Sequence, residues 1–92
     1  MGLIFDWDAR KASLNQRKHG VSFREAASAF GDRRSLTIPD PDHSIEVERQ
    51  ILIGRSMAVR IVLVVFTEWD DAIRIISARR TTPTEQRDHG EA

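Results

Sequence analysis

The sequence predicts an α+β fold: two N-terminal helices packed on an antiparallel four- to five-stranded sheet, with a short C-terminal helix. Three observations carry this expectation. Helical spacing of apolar residues is concentrated in the first third of the chain. From Leu36 to Arg80 the pattern changes to alternating or continuous apolar runs rich in isoleucine and valine, which suit strands. The connections between the later runs are short, as in an antiparallel meander. At 92 residues, 40% hydrophobic and 30% charged, the chain reads as one domain over residues 1–92 with a modest core.

Residues 3–6 read as a first strand. Asp6 or Asp8 can cap a helix over residues 8–19, and Gly20 stands in the left-handed stop position past its end. Trp7, Ala12 and Leu14 offer this helix some apolar surface, while Arg10, Lys11, Arg17 and Lys18 make it strongly basic. Ser22 and Glu25 have capping-box spacing before a second helix, and Val21 with Ala26 has staple spacing. Phe23, Ala26, Ala27 and Phe30 form one apolar stripe that ends at Gly31. Both phenylalanines are expected in the core, together with Leu14.

Leu36 and Ile38 alternate with Ser35 and Thr37 until Pro39-Asp40-Pro41-Asp42 breaks the run. An acidic loop containing His43 continues to Glu48. With no further His or Cys at ligand spacing, it reads as solvated rather than metal-binding. Residues 49–54 form a strand with Ile51 and Ile53 on one face, and Gly54-Arg55-Ser56 a turn. Residues 59–67 are apolar almost throughout, as in a central strand covered on both faces or at a contact between subunits. Glu68-Trp69-Asp70-Asp71 turns the chain into a last strand over residues 72–80. Thr82 and Glu85 then form a capping box with Pro83 at the first helical position, starting a short polar helix that ends by Gly90.

Composition excludes several function classes. Without cysteine there is no disulfide framework, thiolate nucleophile or thiolate zinc site. No glycine-rich phosphate loop follows a strand, and no nucleophile elbow is present. The longest apolar run, residues 61–66, is too short to span a bilayer, and the N-terminus lacks the pattern of a signal peptide, so a cytoplasmic protein is expected. Acid–base and arginine chemistry remains, with no metal and no cofactor. Net charge is zero, yet of 14 cationic residues only Lys11 and Lys18 are lysine. Arginine's planar fork suits a phosphodiester, although an arginine-rich genome produces the same bias.

Within residues 72–80, strict alternation puts Ser77 and Arg79 on one face and Arg74 and Arg80 on the other. Such a strand holds cations in place, or is an edge strand with solvated arginines. RNA cleavage suits the inventory, because the substrate's own 2′-hydroxyl is the nucleophile. The protein must stabilise charge on phosphorus and move two protons. Glu68 and Arg74 share a face for one length of the intervening turn and not for another. His19, at the end of the basic helix, is either a proton donor or acceptor or simply a helix-terminal residue.

Phe5-Asp6-Trp7-Asp8, Lys18-His19-Gly20-Val21-Ser22-Phe23 and Glu25-Ala26 resemble the opening of the BrnT family of bacterial toxins. Pro41-Asp42-His43-Ser44, Glu48-Arg49, Ile53-Gly54, Thr67-Glu68 and Ile73-Arg74-Ile75-Ile76-Ser77-Ala78-Arg79 continue the resemblance in the family's order. It implies a RelE-like fold and a metal-independent ribonuclease toxin of a type II toxin–antitoxin pair. It also implies a BrnA-type ribbon-helix-helix antitoxin, a heterotetramer of two toxins around an antitoxin dimer, and repression of the operon through antitoxin-bound operator DNA. By matching position, the implied functional residues are Lys18, Glu68, Arg74 and Arg79, with His19, Trp7 and Ser77 as further candidates. Arg10, Lys11, Arg17 and Arg80 would follow the RNA backbone. Trp69-Asp70-Asp71 departs from the basic or glycine-containing turn expected beside such a site, and the C-terminal tail is less basic than in many relatives.

Overall fold

The computed structural model describes residues 3–40 and 48–89; the expectations about Pro41, Asp42, His43 and Ser44 lie outside them. The order is β1 (Ile4–Asp6), α1 (Ala9–His19), α2 (Phe23–Ser28) extended by a 3-10 turn, β2 (Leu36–Pro39), β3 (Gln50–Arg55), β4 (Ile61–Trp69), β5 (Ala72–Arg80) and α3 (Pro83–Asp88). The strands form one sheet in the order β1-β5-β4-β3-β2. β2 to β5 make the expected antiparallel meander, whereas β1 joins β5 in parallel, so the sheet is mixed.

Directly opposed residues share a sheet face, so the register sorts the apolar residues into two layers. Leu52, Val62, Val64, Phe66, Ile73, Ile75 and Ala78 face the helices and pack with Val21, Phe23, Ala26 and Ala29. Phe30 bridges Phe5 and Phe66 through edge-on ring contacts at 5.1 and 4.9 Å. Ile53, Ile61 and Leu63 form a second cluster on the other face, flanked by Ile51 and Val65. The central strand β4 is thus covered on both sides through most of its length, which accounts for its unbroken apolar run.

Several local expectations change. Leu14 is 55% exposed rather than core, and the buried residue of α1 is Asn15. The physical reason is an edge. β1 covers β5 only as far as Arg74, and beyond it the Asn15 side chain takes the place of a strand. Its amide donates to the Ala78 and Val21 carbonyls at 2.8 and 2.9 Å, and its oxygen accepts from the Ala78 N–H at 3.1 Å. Asn15→Ala is expected to destabilise the fold by about 2 kcal/mol, because a buried N–H and two carbonyls lose their partner together; urea unfolding at neutral pH measures it.

Gly54 lies inside β3, opposite Val62, rather than in a turn; it is glycine because a Cβ there would stand 2.9 Å from the Ala29 carbonyl oxygen. The reversal comes at residues 56–60, with Val59 at φ 59°. Only half of the Ser22 capping box forms: Ser22 accepts from the Glu25 N–H, while the Glu25 side chain turns inward to other partners. Thr82 and Glu85 form theirs completely, and Gly20 ends α1 at φ 70°.

Candidate functional site

β5 carries the candidates Arg74, Ser77, Arg79 and Arg80, and a bulge decides how they face. Arg74 is opposite Thr67 and Ile75 opposite Phe66, but Ser77 is opposite Val65, leaving Ile76 as the extra residue. Across this bulge the alternation slips by one. Arg74, Ser77 and Arg79 consequently share the face away from α1 and α2, and Arg80, opposite Val62, shares the face toward them. Strict alternation had separated Arg74 from Arg79 and joined it to Arg80. The correction arises because alternation holds only while pairing is regular.

The turn after β4 closes between Trp69 and Ala72, with Asp70 at φ 53°. This puts Glu68 opposite Ile73, on the helix face, and Arg74 on the other. The alternative in which Glu68 and Arg74 share a face is therefore not realised. Glu68 accepts instead from the Gln50 amide at 3.4 Å, beside a depression lined also by Asp70 and Asp71.

The candidates divide between the two ends of β5. At one end Arg74 pairs with Asp6 at 3.4 Å, both about half exposed, and Trp69 and Ala72 complete a cavity of about 370 Å³ with them. The start of α1 lies nearby. Asp8 caps it by accepting from the Arg10 and Lys11 N–H groups at 2.8 and 3.2 Å. The Lys11 and Arg10 N–H groups hold the Asp8 carboxyl below its usual 3.8, with smaller contributions from the charges of Lys11 and Arg74. Lys18 and His19 stand at the opposite end of α1, about 15 Å away by helical rise. There Gly20 accepts from Arg60 at 2.7 Å. Lys18 is exposed and His19 half-buried.

Arg79 is engaged. Its guanidinium forks onto Glu85 of α3 at 3.0 and 2.8 Å and also donates to the Arg80 carbonyl. The pair holds the Glu85 carboxyl below its ordinary 4.5 and raises Arg79, in both cases chiefly through the hydrogen bonds between them. Glu85 thus has two tasks, closing the α3 cap and occupying Arg79. With the Arg74 and Arg79 Cα atoms about 15 Å apart along the strand, the two cations address different points of any bound chain. Trp7 packs edge-on against Phe23 at 6.0 Å and is a core contact.

Sequence reasoning missed Asp6, Asn15 and Arg60. A polar asparagine in mid-helix and a single arginine opening an apolar strand were the available signals. Trp69 was visible only as a departure from the family pattern.

Comparison with known proteins accords with this arrangement. A crystal structure of the Brucella abortus ribonuclease toxin BrnT superimposes with a TM-score of 0.68, covering 88% of this chain and 99% of that one at 23% identity. At that identity the likeness establishes the fold. Curated proteins give no match. The family model described as the ribonuclease toxin BrnT of type II toxin–antitoxin systems matches residues 7–85, which include β5 and leave Asp6 just outside. The chain therefore belongs to the BrnT family of ribonuclease toxins of type II toxin–antitoxin systems.

Proposed function

We propose that this toxin cleaves RNA by attack of the substrate's 2′-hydroxyl, with the scissile phosphate on the β5 face that carries Arg74, Ser77 and Arg79. The observation that supports this reading is the bulge at Ile76, which aligns these three side chains. The attacking oxygen forms the new bond to phosphorus as the 5′-oxygen leaves, giving a 2′,3′-cyclic phosphate and a 5′-hydroxyl. No metal-bound water or protein nucleophile is required. Arg74, the half-exposed cation, stabilises charge on the phosphoryl oxygens. Ser77 donates to the backbone, and Arg79, about 15 Å along the strand, exchanges the Glu85 carboxylate for a neighbouring phosphate. Lys18 and His19, about 15 Å from the Arg74 end, serve proton transfer only for a phosphate held at the Arg79 end, with Arg17 and Arg80 beside them on the RNA backbone. Arg10 and Lys11 do the same at the Arg74 end, whereas Glu68, on the opposite face of the sheet, does not reach a phosphate bound by Arg74.

The partner is a BrnA-type ribbon-helix-helix antitoxin, two toxins per antitoxin dimer, which carries the complex to operator DNA and represses the operon in the cytoplasm. Leu36 and Ile38, 38% and 42% exposed, extend the second apolar cluster toward the sheet edge and give the antitoxin a surface to cover. Purified protein incubated with RNA in EDTA should release fragments ending in 2′,3′-cyclic phosphate. Fragments with 5′-phosphate, or cleavage abolished by EDTA, would rule out this chemistry. A second reading is a co-repressor that binds antitoxin without cutting RNA, favoured by the carboxylates already seated on Arg74 and Arg79. Antitoxin binding with no RNA cleavage would select it.

A further inference from the structure

Trp69 is not explained by the fold. It is 68% exposed, on the last residue of β4, while the ring contacts among the described residues join Phe5, Trp7, Phe23, Phe30 and Phe66. Its register partner is Ala72, whose neighbour across β1 is Ile4, and the same alternation puts Asp6, Thr67 and Arg74 on its face. The open cavity of about 370 Å³ at this end of the sheet is lined by Asp6, Trp69, Ala72 and Arg74. One aromatic ring, one guanidinium, one carboxylate and a methyl-sized floor are therefore gathered in a space that admits a single planar group.

We propose that this cavity is a nucleotide subsite in which a base stacks on Trp69 while its phosphate is bound by Arg74 and its edge is read by Asp6. The proposal rests on the ribonuclease reading and deepens it by naming what lies next to the phosphate. Aromatic rings stack on any base, and Trp offers the largest face. The Asp6 carboxylate offers acceptors only, and its Oδ1 is the atom facing Arg74 at 3.4 Å. Guanine is the base that presents two adjacent donors, N1–H and the N2 amino group, to such a carboxylate, so the subsite favours guanine. The two-residue Asp70–Asp71 turn fixes Trp69 at the strand end and adds negative charge beyond it, which discourages the RNA backbone from continuing over the turn.

The test uses short 2′-O-methyl oligouridines with one central guanine or adenine, which bind without being cut, followed by fluorescence anisotropy. Trp69→Ala should weaken binding of the guanine oligonucleotide on the order of 10-fold or more, Trp69→Phe should restore most of it, and the thermal midpoint should move little. Asp6→Asn should narrow the preference for guanine over adenine. Wild-type protein that cleaves RNA while Trp69→Ala binds these oligonucleotides equally well would overturn the subsite and leave the ribonuclease reading in place. Unchanged oligonucleotide binding with impaired antitoxin binding would overturn it in favour of a protein contact. Wild-type protein that neither binds nor cleaves would overturn both.

Discussion

Arg74→Ala is expected to lower RNA cleavage by about 10²- to 10³-fold, the usual effect of removing one preorganised donor from a transition-state oxyanion. The same variant should lose growth inhibition when expressed without antitoxin. Its fold should survive, because the contact given up is a half-exposed 3.4 Å pair with Asp6, a type worth well under about 1 kcal/mol. Arg74→Lys keeps a charge but loses the two-pronged geometry, so it should fall between wild type and alanine. Cleavage rates on one RNA, with thermal unfolding alongside, separate chemistry from stability. A fully active Arg74→Ala protein would remove Arg74 from the site. Arg79→Ala is less clean, because it also releases Glu85 and with it the anchoring of α3.

Glu25→Ala should have the largest effect on stability of any polar substitution, on the order of 2–4 kcal/mol. Glu25 is 6% exposed and accepts from Arg60 Nε and Nη2 and from Ser56 Oγ, each at 2.7 Å. Arg60 in turn holds the Gly20 carbonyl at the end of α1, and Ser28 accepts from the Met57 N–H in the same turn. Losing the carboxylate strands Ser56 and the inner part of Arg60, and loosens α1, α2 and the β3–β4 turn from one another. For a chain of this size that should lower the unfolding midpoint by about 10 °C or more. The pair also predicts an acid dependence. Arg60 holds the Glu25 carboxyl below its ordinary 4.5, against the opposing effect of burial and with help from Ser56. The unfolded chain therefore takes up the proton first. Stability from this pair is complete above 4.5 and declines as pH falls through the depressed folded value. Glu85 acts in the same direction through Arg79, more weakly because that guanidinium is 39% exposed. Denaturant unfolding across the acid range should show Glu25→Gln flattening this slope.

Much of the architecture was legible without coordinates, and for local reasons. Gly20 ends α1 because only a residue without a Cβ enters the left-handed region cheaply. Thr82-Pro83-Thr84-Glu85 starts α3 because cap and carboxylate lie within four residues of each other. The apolar run of β4 announced a strand buried on both faces. The family, too, was readable from short blocks such as Lys18-His19-Gly20-Val21-Ser22-Phe23, and the family match over residues 7–85 agrees. These features depend on residues a few positions apart.

What the sequence determined by itself is therefore the α+β class, the order of elements, the family and the strand on which the arginines sit. The tertiary structure decided which of those arginines share a face of the sheet. A single unpaired residue, Ile76, moves Arg79 onto the face of Arg74 and leaves Arg80 behind, while a two-residue turn sends Glu68 to the opposite side. Asn15 stands in for a missing strand, and Glu25 leaves its cap for Arg60. The last two outcomes depend on partners 63 and 35 residues away, and the first two on how β4 and β5 pair. Local alternation carries no information about where such pairing slips, so the composition of the site belongs to the folded sheet and not to the string of residues.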